Sequence, residues 1–252
     1  MTSNELAVHS DPEILGGKPV FRGTRVPLQA MLDYLAEQHS DRGLEQILSR
    51  FAGAFPYYSF IAAANGIPDP FDERVIEAYW IGNTLLERVR LADFHGHLAE
   101  RFEHRFPARL LRTMLAQVPA GARPHHNFHV LSMPVRTGHQ ETPHTIETMD
   151  ECRVSWARVV TADGDSLLVE RRPLVRAGDD LALGVPAPRR VFRRFDGKTL
   201  LADAAPGDVV AVHWGCACLR LDERRLRALA HYTEYHLALV NRDRRGAVLQ
   251  ER

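Results

Sequence analysis

Apolar positions along this chain change their period twice. Leu28, Met31, Leu32 and Leu35 recur at helical spacing, and Leu44, Ile47, Leu48 and Phe51 do so again after a break at residues 40–43. Ahead of them, residues 11–27 read as a turn, a short strand and a second turn: Gly16, Gly17 and Gly23 supply backbone freedom, and Pro19 confines any pairing to an edge. Residues 56–120 predict helices. One closes at Ala62-Ala63-Ala64 before Asn65-Gly66. The next starts at Asp72, an N-cap candidate, and presents Val75, Ile76, Tyr79 and Trp80 before Gly82-Asn83. Leu110, Leu111, Met114 and Leu115 mark another. After Cys152 the period becomes two, with Val154, Trp156, Arg158 and Val160 alternating against Arg153, Ser155, Ala157 and Val159. Asp163-Gly164 turns the chain into a hairpin with Leu167–Arg171, and further strands are expected over 190–195, 199–202 and 208–214. Short strands at this spacing suggest a small barrel. A last helix runs from Asp222, with Leu226, Leu229, Tyr232, His236 and Leu239 on its inner face.

Charge narrows the partners. The 252 residues carry no net charge, so no whole-molecule field draws the protein to nucleic acid or an acidic membrane. Residues 1–50 hold five Lys and Arg against seven Asp and Glu, which argues against specific DNA binding by that piece alone. The surplus of cations lies beyond residue 150, where Arg189-Arg190 and Arg193-Arg194 place charge on the outward face of a strand or against an acidic partner. No apolar run is long enough to cross a bilayer, and the N-terminus lacks the basic-then-apolar pattern of a secretion signal. Three cysteines make a poor disulfide framework, so reduced thiols and a cytoplasmic location are expected.

Candidate chemistry is confined to histidines and cysteines. His125, His126 and His129 form a dense cluster, with His139 and His144 following. His125 and His129, four apart, share a face if the segment is helical and also if it is a strand, and either way could offer imidazoles to a metal. Surface or loop histidines are the plainer reading. Cys216 and Cys218, two apart on a strand, point the same way and could meet one ion, although no second cysteine pair completes a zinc site. Phosphate-binding loops, a dinucleotide fingerprint and a serine nucleophile elbow are all absent from the sequence.

Three stretches resemble known families. Gly-Gly-Lys-Pro-Val-Phe-Arg-Gly-Thr-Arg-Val-Pro over 16–27, with the Leu28–Leu35 helix, resembles VapB-type antitoxins. The family then continues into a further helix that this chain replaces with other text from Phe51. From about residue 50 onward, Ile-Ala-Ala-Ala-Asn-Gly-Ile-Pro-Asp-Pro and His-His-Asn-Phe-His resemble an uncharacterised bacterial family. Gly-Asp-Val-Val-Ala-Val-His-Trp-Gly-Cys-Ala over 207–217, leading to the acidic residue Asp222 before a helix, is similar to the HypC/HupF chaperones of [NiFe]-hydrogenase maturation. The strand text at Cys152 resembles that family's opening, although the family's cysteine is N-terminal and Cys152 is internal.

The pattern of periods gives an α+β chain with a helical N-terminal half, a small β-barrel and a C-terminal helix, and the resemblance to HypC/HupF implies that the barrel is OB-like. The expected parts are a truncated antitoxin-like helix-turn-helix segment at 1–50, a mainly helical domain at 51–145 and the barrel with its helix at 146–252. It further implies that Cys152 and His213 help hold an iron bearing cyanide and carbon monoxide, or another transition metal, since thiolate and imidazole suit low-spin iron. The expected function is that of a non-enzymatic accessory protein binding a hydrogenase subunit or maturation factor. The alternatives are an antitoxin or DNA-binding regulator with a toxin as partner, and a metal-dependent enzyme using His125, His126 and His129.

Overall fold

A computed structural model describes residues 8–9, 20–21, 54–103, 107–116, 118–132, 145–195, 198–201 and 203–250. Near the N-terminus, β1 (Val8–His9) pairs antiparallel with β2 (Val20–Phe21). The two helices expected within residues 28–51, and with them the antitoxin-like unit, lie outside the described residues, as do His139 and His144.

Helix α1 (Phe55–Ala64) starts with a proline in its first turn, where the missing N–H costs nothing, and stops at Asn65. Helix α2 (Glu73–Trp80) is capped by Asp72, whose side chain accepts from the Arg74 N–H. A 3-10 turn over Thr84–Arg88 follows, then α3 (Leu91–Phe102) and α4 (Ala108–Ala116). Tyr57, Ile61, Val75, Tyr79, Leu86, Phe94 and Leu98 fill the core between these helices. Each large apolar side chain buried there contributes about 1.5–3 kcal/mol. α2 ends in a close approach: Gly82 has φ +98°, and a Cβ there would lie 2.1 Å from the Tyr232 ring.

Helix α5 (His126–Ser132) settles the local ambiguity of the histidine-rich segment in favour of helix. Helix α6 (Ile146–Cys152) corrects the expectation that Cys152 opens a strand. Thr145 and Thr148 form a reciprocal capping box that starts a helix, Cys152 is its last residue, and the strand begins three residues later.

The strands are β3 (Ser155–Asp163), β4 (Ser166–Arg171), β5 (Leu174–Ala177), β6 (Asp180–Leu183), β7 (Ala187–Phe192), β8 (Arg194–Phe195), β9 (Lys198–Thr199), β10 (Val209–His213) and β11 (Cys216–Arg220). Five of them join in the order β3-β4-β7-β11-β10, and β10 pairs back onto β3. The β7–β11 seam is parallel and held by one registered pair, Cys216 with Phe192, so the barrel is partly open there. This is the layout of a small OB-like barrel. Ala157, Val159, Leu167, Val169, Val191, Val210, Val212 and Ala217 fill its interior. The β5–β6 hairpin stands beside it and was not anticipated.

Helix α7 (Glu223–Gln250) buries Leu229, Tyr232, His236 and Leu239, the face expected from periodicity. It also ties the two halves of the chain together. Tyr232 joins the helical core, while Leu237 and Val240 pack with Val130 and Leu131 of α5, Met149 of α6 and Leu174 and Leu181 of the hairpin.

Candidate metal centre

Three elements that are distant in sequence converge at one end of the barrel. The ligand atoms of His126, Cys152 and His213 all lie within 4.8 Å of one another, the single such grouping of three or more His, Cys, Asp or Glu among the described residues. His126 is buried, and Cys152 and His213 are half-buried.

Each of the three is held by its own scaffold. His126 opens α5, and its neighbour Asn127 clamps that helix to the start of β3: the Asn127 amide donates to the Val154 carbonyl at 2.9 Å and accepts the Val154 N–H at 2.8 Å, while also donating to Thr233. His126 Nε2 lies 2.8 Å from the Cys152 carbonyl oxygen and 3.9 Å from the Cys152 Sγ, and Nδ1 lies 3.3 Å from the Tyr79 hydroxyl. A carbonyl only accepts, so Nε2 carries the ring proton in this geometry and Nδ1 accepts from Tyr79.

Cys152 is positioned by an ion network under α6. Asp150 accepts from Arg153 Nε at 2.9 Å and from Arg171 of β4, and it also accepts the Leu174 N–H at 2.8 Å. Arg153 donates onward to the Arg172 carbonyl, and Arg171 to the Asp150 carbonyl and the Ser155 hydroxyl. Both arginines are buried. Burial draws the Arg153 guanidinium down to about 10, against the pull of Asp150. Next door, Glu151 pairs with Arg189 at 2.6 Å.

His213 ends β10, and the turn after it is fixed to the same helix end. Trp214 adopts φ +49°, Gly215 φ +72°, and the Trp214 N–H donates to the Glu151 carbonyl at 2.8 Å. Trp80, held by its indole N–H to the Tyr58 hydroxyl, covers the group. Its ring centroid lies 4.4 Å from that of His126 and 5.4 Å from that of His213, and the two imidazoles are 5.2 Å apart.

The expected histidine cluster is divided by the helix. His126 faces the cysteine, whereas His129 Nδ1 meets the Tyr57 hydroxyl at 2.9 Å. His125 is fully buried, packed against both Tyr232 and His236, and accepts the Asn127 N–H. Desolvation pushes its pKa far down and pushes that of His236 to about 3. Cys216 and Cys218 do not join a ligand group either. Burial pushes the Cys216 thiol up to about 12 and the Cys218 thiol higher still, which disfavours the thiolate that a metal needs. Tyr79 and Trp80, read from periodicity as an apolar face, turn out to wall the site. Nothing in their spacing marks that role.

The fold and the cluster define an α+β protein with a barrel-mounted group of two imidazoles and a thiol, a soft-to-borderline donor set. The chain belongs to a family of unknown function (DUF6390), which matches residues 29–247. No curated protein and no solved structure matches it. Among the described residues no helix is long and apolar enough to cross a membrane.

Proposed function

We propose that this protein is a non-enzymatic accessory protein of [NiFe]-hydrogenase maturation, binding a hydrogenase subunit or a maturation partner. One observation carries the reading. Cys152 and His213, the two residues matched to that chaperone family's cysteine and histidine, lie together at the end of an OB-like barrel that runs into a C-terminal helix. Had the barrel set them on opposite ends, the reading would have no site.

The donor chemistry fits the iron fragment that the resemblance implies. A thiolate and a neutral imidazole are suitable for low-spin iron, and the Cys152 and His213 side chains are half-buried. Iron with cyanide and carbon monoxide would be held by Cys152 and His213, and these groups would supply the fragment destined for a hydrogenase. Here the thiol is fixed at a helix end, where the family's cysteine is terminal, so docking geometry replaces chain flexibility in presenting it.

The test is genetic and physical. In the native host, Cys152→Ser should lower hydrogenase activity at least tenfold with protein abundance unchanged, and affinity capture of the intact chain should bring down a hydrogenase subunit or maturation factor. Full hydrogenase activity in both Cys152→Ser and His213→Ala hosts would overturn the proposal. Recovery of a toxin instead would turn the reading towards an antitoxin. A second reading, a metal-dependent enzyme, is favoured by the presence of His126 beside the pair, because three protein ligands with a free position is the arrangement of catalytic zinc sites.

A further inference from the structure

We infer that His126, Cys152 and His213 together bind one divalent late transition-metal ion of the zinc class, with a fourth coordination position left to an exogenous ligand. The inference shares two residues with the accessory-protein reading but does not require a hydrogenase.

Geometry is the first support. At bond lengths of about 2.3 Å to sulfur and about 2.0 Å to nitrogen, a tetrahedral ion separates its sulfur and nitrogen ligands by about 3.5 Å. Cys152 Sγ and His126 Nε2 stand 3.9 Å apart, so a shift of a few tenths of an ångström closes the pair. The remaining separations lie within 4.8 Å, so His213 has at most about 1.5 Å to close on the spacing of a tetrahedral site.

The second support is that the ligands are held by structure already formed without the ion. The Asn127 clamp, the Asp150–Arg153–Arg171 network and the Trp214-to-Glu151 hydrogen bond each fix one ligand's backbone. Little ordering is then left for the ion to impose, which is how three donors from three elements can bind tightly.

Tyr79 is the third support. For Nε2 to bind a metal, the proton it shares with the Cys152 carbonyl must move to Nδ1. A hydroxyl both donates and accepts, so Tyr79 satisfies His126 in either tautomer: it donates to Nδ1 now and accepts from Nδ1–H once the metal is in place. That is the outer partner metal-bound histidines require. Neighbouring carboxylates are committed elsewhere, Asp150 to Arg153 and Arg171, and Glu151 to Arg189. Among the described residues no further donor joins the three, so the fourth position falls to water or an incoming ligand.

Co(II) titration of the full chain, purified without a histidine tag, decides the matter. The expected result is one equivalent bound, with the near-ultraviolet thiolate-to-cobalt band and tetrahedral visible bands, displaced by Zn(II). Cys152→Ser should erase the thiolate band. His126→Ala and His213→Ala should each weaken Co(II) at least tenfold, Tyr79→Phe about tenfold, and Cys216→Ser not at all. Circular dichroism checks folding, and His126→Gln serves if the alanine variant does not fold. Absence of saturable Co(II) uptake, or wild-type affinity in both His126 variants, would overturn the inference. A protein that binds no Co(II) yet still needs Cys152 for hydrogenase activity loses the site and keeps the accessory reading. Co(II) binding without a hydrogenase phenotype does the reverse.

Discussion

His125 and His126 are adjacent in the chain and meet opposite fates. His126 reaches the barrel mouth, where its two nitrogens find a hydroxyl, a carbonyl and a nearby thiol. His125, the residue before α5 begins, points elsewhere and stacks with Tyr232 and His236 of α7. Among the described residues neither nitrogen of His236 makes a hydrogen bond of normal geometry, the Tyr232 carbonyl only partly opposing the downward pull of burial. His126 thus turns its ring nitrogens towards the candidate ligand group, whereas His125 spends one on the Asn127 N–H and otherwise packs in the core. Neighbouring histidines do not make a site; what matters is which other elements bring donors to the same face.

The largest expected effect tests what holds the barrel mouth together. Asp150 is the shared partner of two buried arginines, so Asp150→Ala strands Arg153, leaves Arg171 only the Glu151 carboxylate at 3.8 Å, and should cost about 3–5 kcal/mol, read as a drop in denaturant midpoint. A loss below 1 kcal/mol would show that the network is incidental to the position of Cys152. Cys152→Ser, by contrast, should change stability by about 1 kcal/mol or less, since a hydroxyl of similar size takes the place of the thiol.

The stacked pair predicts a pH effect. The folded pKa of His236 is held near 3, while an unfolded histidine titrates near 6.5. Below 6.5 the unfolded chain takes up a proton that the folded chain refuses, so stability is full above that pH and is lost as pH falls towards 3. At pH 5 the deficit from His236 alone is about 2 kcal/mol, and His125 adds in the same direction. Denaturation of wild type and His236→Leu at pH 7.5 and 5 isolates the contribution: the variant should lose less on acidification, and superimposable profiles would refute it. Co(II) binding at the barrel mouth should be untouched by this change.

Much of this architecture is legible in the sequence where period and caps agree. The face of α7 from Leu226 to Leu239, the Asp72 cap and the β3–β4 hairpin at Asp163-Gly164 all follow from local pattern. Cys152 did not, because a two-turn helix is too short to show a period, and its capping box uses Thr148 where Glu or Gln is the usual signal. The β5–β6 hairpin is four residues per strand, and its turn at Gly178 is no stronger than others that close no hairpin. Cys152 and His213 were paired through family resemblance. That His126 and not His125 or His129 joins them depends on how α5 is rotated, which the Asn127 clamp and the Tyr57–His129 hydrogen bond set through contacts remote in sequence.

The smallest effect concerns the wall of the site. Trp80 is the last residue of α2, and α2 is fastened to the start of α7 where Glu77 accepts from Arg224 at 2.8 and 2.9 Å and from Arg225 at 2.8 Å. Burial raises the Glu77 carboxyl, but the two guanidiniums outweigh that and hold it at about 2. Because the arginines are partly in water, the pair contributes only about 1 kcal/mol. Glu77→Gln should remove about that much at neutral pH. A depressed carboxyl stabilises above its unfolded pKa of about 4.5 and loses that stabilisation as pH falls towards 2, so the variant's deficit should shrink over that window. If α2 is held over the metal centre mainly by the Tyr58–Trp80 hydrogen bond and the packing of Tyr79, Co(II) affinity will be unchanged in Glu77→Gln. A tenfold loss would mean instead that the surface ion pair sets the position of Trp80 over His126.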